Sequence, residues 1–195
     1  MSKSALIVVD CQNDFASPDG SLSVPHAQDI MLRIADIIKE CGAYPEDWLV
    51  VITQDTHPEN HCSFTKDGGQ WPTHCVEGTW GYELDATIDL ATTFVEGQSL
   101  YFVHKANDPN KDAYSGFDGT GLADILHEED VDEVYVAGLA TDYCVKETAE
   151  GSLEEGFDTS VFTDLIRGVF GETSVEAIVE MSKEACLMHS DNFTI

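Results

Sequence analysis

The sequence predicts an α/β fold of the doubly wound kind, a Rossmann-like three-layer α/β/α arrangement around a parallel sheet. Two observations carry this. Short, near-continuous apolar runs recur along the chain, as a parallel sheet covered on both faces requires. Amphipathic helical patterns lie between them, and strand-helix-strand repetition signals right-handed crossover units. At 195 residues, with 43% hydrophobic and 24% charged residues, the chain suits one globular domain over residues 1–195.

The strand candidates are Ala5–Val9, Trp48–Thr53, Leu100–His104, Glu133–Ala137, Thr159–Thr163 and a weaker run near Ala185–Met188. Between the first two, Ile30, Ile34, Ile37, Ile38 and Cys41 fall on one helical face, with Gly42 as a stop signal. Residues 121–128 and 142–155 read as further helices. Thr173-x-x-Glu176 reads as a capping box opening a helix over 174–183, with Val175, Ile178, Val179 and Ser182 sharing a face. Residues 55–84 break the rhythm: His, Asp, Trp, Pro and Gly recur there without a period. A loop this long in a compact domain is functional or disordered, and its aromatic content argues for function.

Thirty-seven acidic residues against nine basic ones give a formal charge of −28. Such a surface repels phosphate backbones and anionic membranes, which argues against nucleic-acid and lipid partners. Its first reading is solubility and its second adaptation to salt or acid. The run Ala5–Val9 ends in Asp10 and is too short for a signal-peptide core, and no stretch approaches bilayer length, so a cytoplasmic location is expected. Six scattered cysteines without a Cys-x-x-Cys pair are then expected to be reduced thiols.

In open α/β sheets, sites form at the carboxyl ends of the strands. Asp10, Asp55 with His57, and Lys105 fall there, and Cys144 follows the fourth strand across a turn. Thr141 or Asp142 is a good N-cap, which places Cys144 in a first helical turn. Free amides and the helix dipole there favour a thiolate and can hold an oxyanion. A carboxylate such as Asp10 can take the thiol proton, and an ammonium such as Lys105 holds both charged forms. Taken singly, each residue has an ordinary structural reading, a packed cysteine or a structural ion pair. Their convergence on one rim favours chemistry.

Asp55 and His57, two apart on an extended strand end, point the same way, and His74 can return as a third ligand. Two histidines and a carboxylate suit Zn²⁺, Fe²⁺ or Mn²⁺. His61 is a fourth ligand or a group behind the ligands, and Cys62 or Cys75 could supply a thiolate. His26, His127 and His189 lack this setting. His104 should point away from Lys105. A metallohydrolase with bound water as nucleophile, and an idle binding module, are the rival readings.

The chain resembles the isochorismatase-like cysteine hydrolases, and within them the nicotinamidases. The resemblance rests on Leu6-Ile-Val-Val-Asp-Cys-Gln-Asn-Asp-Phe15, Gln54-Asp-Thr-His-Pro-Glu-Asn-His-Cys-Ser-Phe64, Trp71-Pro-Thr-His-Cys-Val-Glu-Gly78, His104-Lys-Ala106, Ala113-Tyr-Ser-Gly-Phe117 and Val136-Ala-Gly-Leu-Ala-Thr-Asp-Tyr-Cys-Val145. It implies a six-stranded parallel sheet and a triad of Asp10, Lys105 and Cys144. It also implies one divalent metal, Zn²⁺ with Fe²⁺ or Mn²⁺ as alternatives, on Asp55, His57 and His74, with His61 a ligand only in some relatives. Phe15, Trp71 and Tyr114 would wall the substrate ring. Ala140 and Cys144 would form the oxyanion hole, with a cis peptide at Leu139–Ala140. The implied reaction hydrolyses nicotinamide to nicotinic acid and ammonia, with pyrazinamide as a related substrate. The nearest rival is a cysteine amidohydrolase acting on ureido or N-carbamoyl compounds. Relatives range from monomers to tetramers, so a homo-oligomer is left open.

Overall fold

The computed structural model describes residues 3–195. Its six strands are β1 (Lys3–Val9), β2 (Trp48–Asp55), β3 (Leu100–Lys105), β4 (Val131–Leu139), β5 (Asp158–Arg167) and β6 (Cys186–Met188). They pair in the order β3-β2-β1-β4-β5-β6, and every pairing is parallel. The chain therefore starts mid-sheet, winds outward through β2 and β3, then returns beside β1 and winds the other way. The switch point between β1 and β4 is where such sheets open a crevice.

Six helices cover the sheet: α1 (Asn13–Ala16), α2 (Gln28–Gly42), α3 (Ala86–Thr92), α4 (Leu122–Glu128), α5 (Lys146–Glu154) and α6 (Gly171–Met181). Alternate residues of β1 feed opposite layers. Leu6 and Val8 pack with Ile30, Ile34 and Ile38 of α2, whereas Ala5, Ile7 and Val9 pack with Leu122, Leu126 and Ala149. Strand β2 is buried along its whole length. Burial on both faces explains why these strands read as continuous apolar runs.

Four local expectations are corrected. Gly42 does not stop α2 but lies in its last turn, where a Cβ would come within 2.8 Å of Val95. Thr173 does not open a capping box: α6 begins at Gly171, and the Thr173 hydroxyl donates to Asp142 at 2.6 Å. The buried face of α6 is Ala177 and Met181, while Val175 and Val179 are 62% and 56% exposed. The helix expected over 142–155 opens with a single π-helical turn, Thr141–Val145, before α5.

Between β2 and α3 the chain holds only a short 3₁₀ turn, Thr65–Asp67, and is tied down by isolated bridges Gln12–Leu84, His57–Val76 and Phe64–Trp71. Among the described residues no helix is long and apolar enough to cross a membrane.

Candidate active site

The carboxyl ends of β1, β2 and β3 and the π-turn after β4 bring Asp10, Asp55, Lys105 and Cys144 together. Each is at least nine-tenths buried. The Lys105 Nζ lies 2.8 Å from Asp10 Oδ2 and 3.3 Å from Cys144 Sγ, and it donates to Asp55 Oδ1. The other Asp10 oxygen accepts from the Thr53 hydroxyl at 2.6 Å. One ammonium thus serves two carboxylates and a thiol. Carboxylate oxygens of Asp10 and Asp55 lie within 4.8 Å of the sulfur.

Burial alone would drive Lys105 toward its neutral form, but Asp10 and Asp55 outweigh it and hold the ammonium well above its ordinary range. Burial pushes the Asp10 carboxyl up, against the pull of Lys105 and with the push of Asp55. Burial also pushes the Cys144 thiol well up, with Lys105 drawing it down and the two carboxylates raising it further. Dry surroundings therefore favour the thiol over the thiolate at this position.

Asp142 does not cap the turn. Its carboxylate accepts from the amides of Val169 and Phe170, at 2.9 and 3.0 Å, and from Thr173. The turn that carries Cys144 is thereby stapled to the β5–α6 connection. The peptide bond Leu139–Ala140 is cis, and Ala140 O receives the amides of Tyr143 and Val145. Three of the non-glycine residues with positive φ are Asp10 (47°), Cys75 (45°) and Ala106 (53°), each at or beside a site residue. Such conformations persist where the surroundings over-determine them.

Beside the triad, His57 Nε2 faces Asp55 Oδ2 at 3.6 Å and His74 Nε2 faces the same oxygen at 4.0 Å. Both rings donate through Nδ1 to backbone carbonyls, His57 to Ala106 at 3.1 Å and His74 to Pro72 at 2.7 Å. With Nδ1 held by a carbonyl, each ring turns its Nε2 to the carboxylate, the arrangement found in metal-bound histidines. His57 Nε2 is buried without a hydrogen-bond partner, which is costly unless an ion completes it. Burial lowers the His74 pKa, which keeps it an acceptor at neutral pH. The three donor atoms lie within 4.8 Å of one another and could hold a divalent metal ion.

His61 stands 4.2 Å from His57, ring to ring, but both of its nitrogens are engaged. Nδ1 accepts from the Ser63 amide at 3.3 Å, so Nε2 donates to Lys111 O at 3.1 Å. No lone pair remains for an ion. Cys62 and Cys75 lie outside the donor cluster. His104 bonds Thr56 and Tyr82, away from the site.

Phe15, Trp71 and Tyr114 line a cavity that also reaches Cys144, Ala140 and the Asp55–His57–His74 group. Trp71 donates through Nε1 to the Tyr114 hydroxyl at 3.0 Å. Tyr143, Asp112, Leu22 and Val169 complete the lining and were missed. Tyr143 could have been read from its place beside Cys144; Val169 carries no local signal.

A family model described as the isochorismatase domain matches residues 4–191. The chain belongs to the isochorismatase family. Its relatives in that family include the nicotinamidase/pyrazinamidase of Mycobacterium tuberculosis, 40% identical over 91% of this chain and 93% of that one. Among solved isochorismatase-fold structures, the pyrazinamidase of Pyrococcus horikoshii in complex with zinc has a TM-score of 0.85 and 39% identity, covering 96% of this chain and 99% of that chain. The yeast nicotinamidase bound to the inhibitor nicotinaldehyde has a TM-score of 0.86 and 31% identity, covering 95% and 99% respectively.

Proposed function

We propose that this chain hydrolyses nicotinamide to nicotinic acid and ammonia, with Cys144 as nucleophile. The observation that carries the reading is one buried ammonium, Lys105, touching Asp10, Cys144 and the metal-site carboxylate at the floor of an aromatic cavity. The substrate is neutral, which suits a protein of charge −28.

The chemistry follows from the groups present. Asp10 accepts the Cys144 proton while Lys105 stabilises the sulfur that becomes negative. The thiolate forms a bond to the carboxamide carbon, and the amides of Ala140 and Cys144 donate to the resulting oxyanion. Asp10 returns the proton to the departing nitrogen, ammonia leaves, and a thioester remains on Cys144. Water then adds to the thioester with Asp10 again as base, releasing the acid and the thiol. Phe15, Trp71 and Tyr114 hold the ring flat between them. Asp55, His57 and His74 would hold the ion, which when bound would supply a Lewis-acid contact for the ring nitrogen and so orient the carboxamide. Zn²⁺ is the proposed ion, supported by the two-histidine, one-carboxylate set and by the zinc complex of the Pyrococcus relative. Pyrazinamide, with the same carboxamide on a diazine ring, is a second substrate on this reading.

The test is a panel of amides assayed for ammonia release by metal-loaded protein. Nicotinamide and pyrazinamide should turn over with kcat/KM far above ureido and N-carbamoyl compounds. Preference for the latter would overturn the substrate assignment while leaving the nucleophile in place.

A further inference from the structure

We infer that Gln12 is a positioning residue whose side chain takes the place of a strand beside Asp55 and thereby holds the metal site in register; this rests on the reading of Asp55 as a metal ligand. In a parallel ladder the rung after Asp10 N to Thr53 O, observed at 3.3 Å, would run from Asp55 N to Asp10 O. That rung is missing. Asp10 adopts φ 47°, the chain leaves the sheet, and Asp10 O accepts instead from the amide of Gln12 at 2.8 Å. The main chain beyond turns to the loop, with Asn13 N donating to Glu83 O and Asp85 N to Cys11 O.

Asp55 therefore loses its main-chain neighbour on the β1 side at the point where its side chain must serve Lys105 and the histidines. The Gln12 carboxamide replaces it group for group. Its Oε1 accepts from Asp55 N at 2.8 Å, and its Nε2 donates to Asp55 O at 2.9 Å. The same Nε2 donates to Tyr82 O at 2.9 Å, which ties the long loop to the clamp. The side chain is fully buried, so water cannot substitute for it. A carboxamide is the side chain that copies a peptide group, one donor and one acceptor side by side. Glutamate keeps the acceptor but sets its second oxygen against two carbonyls. Asparagine keeps the chemistry but is one methylene too short to span the gap.

The experiment measures Zn²⁺ affinity by competition with a chromophoric chelator, on folded protein verified by circular dichroism. Gln12→Glu and Gln12→Asn are compared with wild type, with Asp55→Ala, and with Ile34→Val as a destabilised control remote from the site. Groups that orient metal ligands typically contribute about 10–100-fold in affinity. Both Gln12 variants should therefore bind Zn²⁺ about 10–100-fold more weakly, while Ile34→Val binds like wild type. Wild-type affinity in either Gln12 variant, with affinity lost in Asp55→Ala, overturns the role of Gln12 alone. Wild-type affinity in Asp55→Ala overturns the metal-site reading beneath it. Equal weakening in Ile34→Val reduces Gln12 to a general contributor to stability and likewise overturns the inference.

Discussion

Lys105→Met in metal-free protein leaves the Asp10 and Asp55 carboxylates buried together without the ammonium they share. Across the 2.8 Å to Asp10, the attraction at an effective dielectric of about 20 is roughly 6 kcal/mol. Dehydration of the ions offsets part of this, and removing one partner of a buried pair costs about 3–5 kcal/mol. For a domain of this size each kcal/mol moves the melting point by about 2–4 °C, so the variant should melt about 6–20 °C lower. The assay is a series of circular-dichroism melts of chelator-treated wild type and variant across mildly acid to neutral pH. Asp10 already has a raised pKa from burial, and losing Lys105 raises it further. A carboxyl group whose folded pKa exceeds its unfolded value costs stability as pH climbs between the two. The deficit should accordingly be full above the folded pKa and shrink on acidification. A melting point within about 2 °C of wild type at every pH, too small for a lost buried partner, or a deficit that grows in acid, would refute the reasoning.

Other consequences are as specific. Asp10 must be ionised to accept the thiol proton, and burial raises its pKa, so kcat/KM should fall on the acid side at a pH above the ordinary carboxylate range; a rate profile flat through that region contradicts Asp10 as base. Asp142→Asn sets an NH₂ against the Val169 and Phe170 amides. It should cost about 1–3 kcal/mol in denaturant melts and raise KM for nicotinamide more than it lowers kcat. On α6, Val175→Lys should leave stability within about 0.5 kcal/mol, whereas Ala177→Lys, at a site 3% exposed, should destabilise severely in the same melts.

Much of this architecture was readable from residues alone because burial on both faces makes Ala5–Val9 of β1, Trp48–Ile52 of β2 and Val134–Ala137 of β4 near-continuous apolar runs, and α2 repeats its isoleucines at helical spacing. The site residues were readable because each closes a strand or opens a turn, where doubly wound sheets place chemistry. What escaped depends on tertiary geometry. Helix α1 spans 4 residues, too few to show a period. The face of α6 was misassigned because Val175 and Val179 are apolar yet point outward, while the buried side is carried by Ala177 and Met181. His61 could be read as a ligand or as a group behind the ligands, and only its bonds to Ser63 and Lys111 favour the second. Gln12 gave no sign of its clamp, because the missing rung appears only once strand register is known.

The most direct test of the account is ammonia release from nicotinamide by metal-loaded wild type and Cys144→Ala side by side. Release by wild type and none by Cys144→Ala, with bound metal unchanged, is the predicted result. Comparable release by both would contradict it and transfer the attack to a metal-activated water.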